Sequence, residues 1–307
     1  MNPLPSLLSL LFATSISSIS LIAAESRDLI LIAGQSNAVG YDAYPETLSE
    51  DPTDKNVMFW WRVGDPPPDD YDSTSARKWT TLQIQPRGNP ISKTAPPADA
   101  PSEGLGRQYG NFKSPEGGFG PEMGLARELQ RKQTKSLAIV KAAFSGTGLR
   151  KDWNVNDPGA GGACFRALVT EAKAAIAAAA EAGVTLHPRA LVWVQGESDS
   201  NAQDAPKYEQ ALAEMLGALR KEIGAPDLRC LVGVNVHFGN DKNRYVAEVI
   251  SAQKAVALSD KLCVYVETDG AETLLPSQTH FTGKGTLEVG RRFAEALLKA
   301  ESSTAAP

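Results

Sequence analysis

Ser36 is the residue around which a reaction can be built. It stands in the stretch Asp28 to Gly40, DLILIAGQSNAVG, whose apolar run Leu29 to Ala33 is short and β-rich, as a buried strand is. The run stops at Gly34 and delivers Gln35, Ser36 and Asn37 to a helix-compatible stretch. A strand that ends in a glycine turn and hands a serine to a helix N-terminus exposes the hydroxyl at the rim of a sheet. The positive end of the helix dipole then lies beside it. Only one flanking glycine is present, so this is not the G-x-S-x-G elbow. The Ser36-Asn37 pair also suits a plain helix N-cap, and the rest of the chain has to decide between the two.

Other polar residues recur at comparable places. Gly146 follows the apolar run Leu137 to Ala143, Gln195 and Glu197 follow Arg189 to Val194, and His280 precedes the last helical stretch. Ligands of parallel α/β sheets bind beyond the carboxyl ends of the strands. One loop cluster would therefore bring together a nucleophile, an imidazole base, oxyanion donors and a carboxylate, which are the parts needed for acyl transfer. His187 precedes Pro188 and reads as a loop residue, while His237 ends a strand and ranks below His280.

The elements that must position these residues are legible from periodicity. Apolar runs at 29–33, 137–143, 189–194, 229–236 and 262–266 alternate with helical patterns at 121–133, 164–182, 204–223, 244–258 and 283–299. This alternation predicts a parallel sheet covered on both faces, in one α/β domain over 25–300. Residues 41–120 read as a long irregular insertion carrying Pro66-Pro67-Pro68 and the tryptophans Trp60, Trp61 and Trp79. Runs at 57–61 and 78–84 would make a hairpin or lid there, its tryptophans plugging the core or stacking on a sugar ring. Residues 301–307 read as a disordered tail.

Composition narrows the partners. The chain of 307 residues has a net charge of -5 and no Lys/Arg cluster, which argues against a nucleic-acid partner. Leu4 to Ala24 carries no charge and closes on Ala23-Ala24, so 1–24 reads as a signal peptide. That predicts export to the periplasm or beyond, with no stable membrane insertion after cleavage. Cys164, Cys230 and Cys263 are odd in number and sit in core-like runs, so buried thiols are expected rather than a disulfide framework. No Cys or His spacing suggests a zinc site.

GQSN after the first strand, GGFGPE before a helix, WxQGESD after the third strand and HF before the last helix together resemble one family. It is the sialate O-acetylesterase and acetylxylan esterase-like branch of the SGNH (GDSL) hydrolases. The resemblance implies a three-layer, flavodoxin-like fold with a five-stranded sheet, and hydrolysis of O-acetyl esters on an acetylated carbohydrate. It implies no metal or organic cofactor. Carried over by position, it makes Ser36 the nucleophile and His280 the base, with the Ser36 and Gly146 backbone N–H groups and the Gln195 side-chain amide as oxyanion donors.

The acid departs from the family pattern, which has an Asp three residues before the histidine where this chain has Ser277. Glu197, given the acid role in some relatives, is taken here as the acid. Asp269, or a Ser-His dyad with no acid, are the alternatives. A serine at 277 also leaves open a non-catalytic sugar-binding protein on the same scaffold, and an esterase or lipase of non-sugar esters is a further reading.

Overall fold

A computed structural model describes residues 25–64, 71–90 and 112–304. The expected leader, 1–24, lies outside the described residues. In chain order the elements are β1 (Glu25–Gly34), the one-turn helix α1 (Ser36–Val39), β2 (Met58–Gly64), β3 (Tyr71–Thr74), β4 (Thr80–Thr81) and β5 (Asn89–Pro90). Then come α2 (Glu122–Lys132), β6 (Leu137–Phe144), α3 (Ala163–Glu181), β7 (Val184–Val194) and α4 (Tyr208–Glu222). β8 (Arg229–Gly233), α5 (Tyr245–Ser259), β9 (Cys263–Tyr265) and α6 (Gly283–Thr304) close the chain.

β1 is central because it is buried on both faces. Side chains of a strand alternate between faces, and here Leu29, Leu31 and Ala33 pack with Leu168, Met215 and Val249 from α3, α4 and α5. Ile30 and Ile32 pack on the opposite face with Met123 and Leu129 of α2 and Phe293 and Leu297 of α6. The result is three layers, helices on both sides of a mostly parallel sheet.

The five expected strands lie in the order β6-β1-β7-β8-β9, the flavodoxin-like arrangement. β1 has β6 on one side and β7 on the other, both parallel, so the chain reverses its direction of travel across the sheet at β1. A crevice opens at such a switch point, beyond the carboxyl ends.

The insertion differs from its expectation. The runs expected at 57–61 and 78–84 do pair antiparallel, Met58 with Thr81 and Phe59 with Thr80, but Met58–Gly64 also joins the main sheet as a sixth parallel strand, paired along its length with β6. β3 and β4 add to it antiparallel, and β5 pairs with β3. Trp60 and Trp61 are accordingly core residues, 1% and 5% exposed, with their indole N–H groups donating to Glu171 and Ser73. Trp79 packs edge-on against Trp60 and donates to the Ala175 carbonyl. The tryptophans fasten the insertion to the sheet, and Trp60 and Trp61 plug the core with no face left for a sugar ring, while Trp79 is half-buried. Residues 65–70 and 91–111 of this insertion lie outside the described residues.

Two smaller corrections have local causes. His187 is a strand residue, not a loop residue, because β7 starts at Val184 and tolerates Pro188 next to a register shift against β1. α6 continues to Thr304, and Arg189 makes a two-pronged contact with Glu301, so 301–304 are helical rather than the start of a tail. The three cysteines are buried and form no disulfide with one another, as their core-like runs suggested.

The GGFGPE block proves to be a brace. Lys141, wholly buried on β6, donates to the Val39 carbonyl at 2.8 Å, to Gln85 Oε1 at 2.8 Å and to Glu122 Oε1 at 3.0 Å. The same Glu122 oxygen accepts from Gly120 N and Gln85 Nε2. This network ties the end of α1, the insertion and the start of α2 to the central sheet. Removing one partner of a buried ion pair strands the other charge, so Lys141→Met is expected to destabilise by about 3–5 kcal/mol. Lys141→Met with Glu122→Gln should recover part of that loss in denaturant titration, because no unpaired charge remains.

Candidate active site

β1 delivers Ser36 as expected, and the backbone explains how. Gly34 has φ +139°, and a Cβ there would lie 2.1 Å from the Val194 carbonyl oxygen, so only glycine allows the strand to end this close to β7. Ser36 opens α1, where the first N–H groups have no intrahelical acceptor. After one turn Gly40 caps the helix at φ +86° and its N–H returns to the Ser36 carbonyl. That left-handed cap reverses the chain, and the second residue past it is Asp42.

His280 comes from the segment between β9 and α6. Thr273 and Phe281 form an isolated bridge, and Leu274 N donates to the His280 carbonyl, which closes the segment into a compact loop. Its imidazole sits between Ser36 and Asp42. Nε2 is 2.9 Å from Ser36 Oγ, and Nδ1 is 2.6 Å from Asp42 Oδ2. A carboxylate accepts only, so Nδ1 carries the proton and Nε2 is left to accept from the serine hydroxyl. All three side chains are buried, Ser36 at 4% and His280 at 8% exposure. The Tyr41 ring lies 5.0 Å from the imidazole centre, and the Lys113 ammonium stands 3.7 Å from Asp42 Oδ1. Burial pushes the Tyr44 phenol up, and the negative charge of Asp42 adds to the rise.

The carboxylate bonded to the histidine is therefore that of Asp42, not that of Glu197. Glu197 Oε1 accepts from Asn37 Nδ2 and Asn235 N and touches neither imidazole nitrogen. Burial pushes its carboxyl up, with the Asn37 hydrogen bond opposing. Asp269 is elsewhere too: its carboxylate is 3.0 Å from Nε2 of His237, which also contacts Asp241 through Nδ1. Ser277 is exposed.

Of the three expected oxyanion donors, the Gln195 amide is already engaged within the protein. Gln195 is fully buried, and its Nε2 donates to Asp199 Oδ2 at 2.5 Å and to the Thr147 carbonyl at 3.0 Å. Its Oε1 accepts from the Tyr208 hydroxyl. An amide so engaged braces the loop after β6 and is not presented to a ligand. Asp199 continues the brace by accepting from Leu149 N and Arg150 N. Gly146 is exposed at φ +69°, and nothing lies within 4 Å of where a Cβ would be. Gly34 pairs with Ala143 in the sheet, so Ser36 and Gly146 leave adjacent strand ends within a residue of the same level.

Sequence reasoning missed Asp42. Its signal was present in the block GQSNAVGYD: a glycine one helical turn after the serine, then a carboxylate two residues on. Among the described residues no group of three His, Cys, Asp or Glu side chains stands together as a metal site would require. No described helix is long and apolar enough to cross a membrane.

Residues 26–299 match the family model described as carbohydrate esterase, sialic acid-specific acetylesterase. Among solved structures, a protein of Arabidopsis thaliana aligns with a TM-score of 0.60 at 17% identity, covering 89% of this chain and 98% of that one. NanS aligns at 0.59 with 16% identity, covering 92% and 99%. A carbohydrate acetylesterase from Xanthomonas citri aligns at 0.55 with 18% identity, covering 90% of this chain and 56% of that one. At these identities the likeness is one of fold. No curated protein sequence matches.

Proposed function

We propose that this chain, which belongs to the sialic acid-specific acetylesterase family of carbohydrate esterases, removes O-acetyl groups from sugars through an acetyl-enzyme on Ser36. Family membership makes it a carboxylic ester hydrolase; the serine mechanism and the acetylated-sugar substrate are our reading. The observation that carries it is the relay Ser36 Oγ, His280 Nε2, His280 Nδ1, Asp42 Oδ2, with separations of 2.9 and 2.6 Å.

His280 takes the Ser36 proton as Oγ attacks the acetyl carbonyl, and Asp42 steadies the imidazolium that forms. The oxyanion is held by the Ser36 and Gly146 backbone N–H groups, each such donor contributing about 3 kcal/mol of barrier lowering. His280 then returns the proton to the departing sugar oxygen, giving a free hydroxyl and the acetyl ester of Ser36. In the second half a water loses its proton to His280 and attacks that ester, and His280 passes the proton to Ser36 Oγ as it leaves, releasing acetate and restoring the serine hydroxyl. The apolar leader-like stretch Leu4 to Ala24 supports placing this activity on exported protein.

The case for a non-catalytic binder rested on the serine at 277, and Asp42 at the imidazole removes that motive. Acetate release from O-acetyl sialic acid, acetylated xylan and an aryl acetate tests the proposal on residues 25–307. Turnover of a sugar ester with kcat/KM at least about tenfold above the aryl acetate is expected from binding of the sugar itself. Turnover of the aryl acetate alone would contradict the carbohydrate reading.

A further inference from the structure

The buried Glu197 takes no part in the relay, yet it stands at the centre of a bracket around His280. Its Oε1 accepts two bonds, from Asn37 Nδ2 at 2.7 Å and from Asn235 N at 3.2 Å. Asn37 then reaches both peptides that flank the histidine: Nδ2 donates to the Thr279 carbonyl at 3.2 Å, and Oδ1 accepts from Phe281 N at 3.1 Å. Asn235 holds the approach to the histidine, its Nδ2 donating to the Gln278 carbonyl at 2.7 Å and to Thr279 at 3.3 Å. Asn37, Glu197 and Asn235 are each 3% exposed or less. Gln278, at φ +50°, sits in a conformation a non-glycine residue rarely keeps without such support.

We propose that Glu197 is a positioning residue for His280, acting through Asn37 and Asn235 to fix the imidazole against Ser36. Asn37 adjoins Ser36 in the chain, so one carboxyl oxygen ties the nucleophile helix, the loop after β8 and the histidine loop together. A misplacement of about 1 Å in such an arrangement costs roughly 100-fold in rate. The inference rests on the reading of Ser36 and His280 as the hydrolytic pair. It differs from an acid role because no atom of Glu197 meets the ring nitrogens. Burial also holds this carboxyl above the usual range. A carboxamide keeps an acceptor oxygen for Asn37 Nδ2 and Asn235 N, so glutamine should replace it well.

The test compares kcat and KM of Glu197→Gln, Glu197→Ala and Asp42→Asn on an aryl acetate, with near-UV circular dichroism for folding. Glu197→Gln should keep kcat within about fivefold, while Glu197→Ala lowers it about 100-fold at nearly constant KM. Loss in Glu197→Gln as deep as in Asp42→Asn would overturn the proposal, as would wild-type kcat in Glu197→Ala. If Glu197→Ala does not fold, Asn235→Ala removes the bonds to Gln278 and Thr279 together with the one accepted from His237 N, and leaves Glu197 in place; it should lower kcat about tenfold at constant KM. Wild-type kcat there would overturn the proposal equally. Ser36→Ala separates the two levels: activity surviving in it defeats the hydrolytic reading, whereas its loss beside an intact Glu197→Ala defeats only the bracket.

Discussion

Asp42→Asn is expected to lower kcat by about 10³–10⁴-fold with little change in KM. The substitution keeps size and shape, and it replaces the acceptor facing Nδ1 by an amide that also offers a donor. With the carboxylate 2.6 Å from Nδ1 the ring is held in the tautomer that presents a bare Nε2 to Ser36. An amide donor in that place favours the opposite tautomer and leaves the imidazolium without a counter-charge in a site that is almost closed to water. Asp269→Asn serves as the comparison, because Asp269 is an exposed partner of His237 and has no contact with His280. Its kcat is expected to stay within about twofold, as for most surface substitutions. Steady-state kinetics on one aryl acetate distinguishes the two positions.

Ser36→Ala has the largest expected effect, a fall of about 10⁶-fold in kcat, which brings turnover close to background. In the proposed mechanism its hydroxyl oxygen forms the bond to the acetyl carbon, and among the described residues no other hydroxyl is hydrogen-bonded to a His280 ring nitrogen. Folding should survive, because Ser36 contributes only a small side chain and the backbone of α1 is held through Gln35 and Gly40. Substrate binding should survive as well, so KM or a dissociation constant for the ester remains measurable while acetate release stops.

The layered fold was legible because β1, β6 and β7 each carry a predominantly apolar run and α4 has a clean helical face. These are signals that burial itself writes into a sequence. β2 was harder. Its Phe59-Trp60-Trp61 run reads equally well as a core strand or as a loop plug, and its pairing with β6 is set by neighbours far along the chain. Ser36 and His280 were legible because each is placed by its own local turn. The acid was not, since a carboxylate that follows the nucleophile by six residues reaches the histidine only through the Gly40 reversal. Glu197 and Gln195 looked catalytic for a good physical reason: buried polar residues at strand ends are required either by the reaction or by the loops that surround it. Here Gln195, Glu197 and Asp199 hold loops, each engaged by backbone or side-chain groups of a neighbouring segment.

The most direct test of the relay is the reaction of the protein with a serine-directed organophosphonate, with the adduct located by peptide mass spectrometry. One adduct at Ser36 is expected, formed far more slowly in Asp42→Asn and His280→Ala than in Glu197→Gln. An adduct at another residue, or none on folded protein that still releases acetate, would contradict a Ser36-His280-Asp42 mechanism.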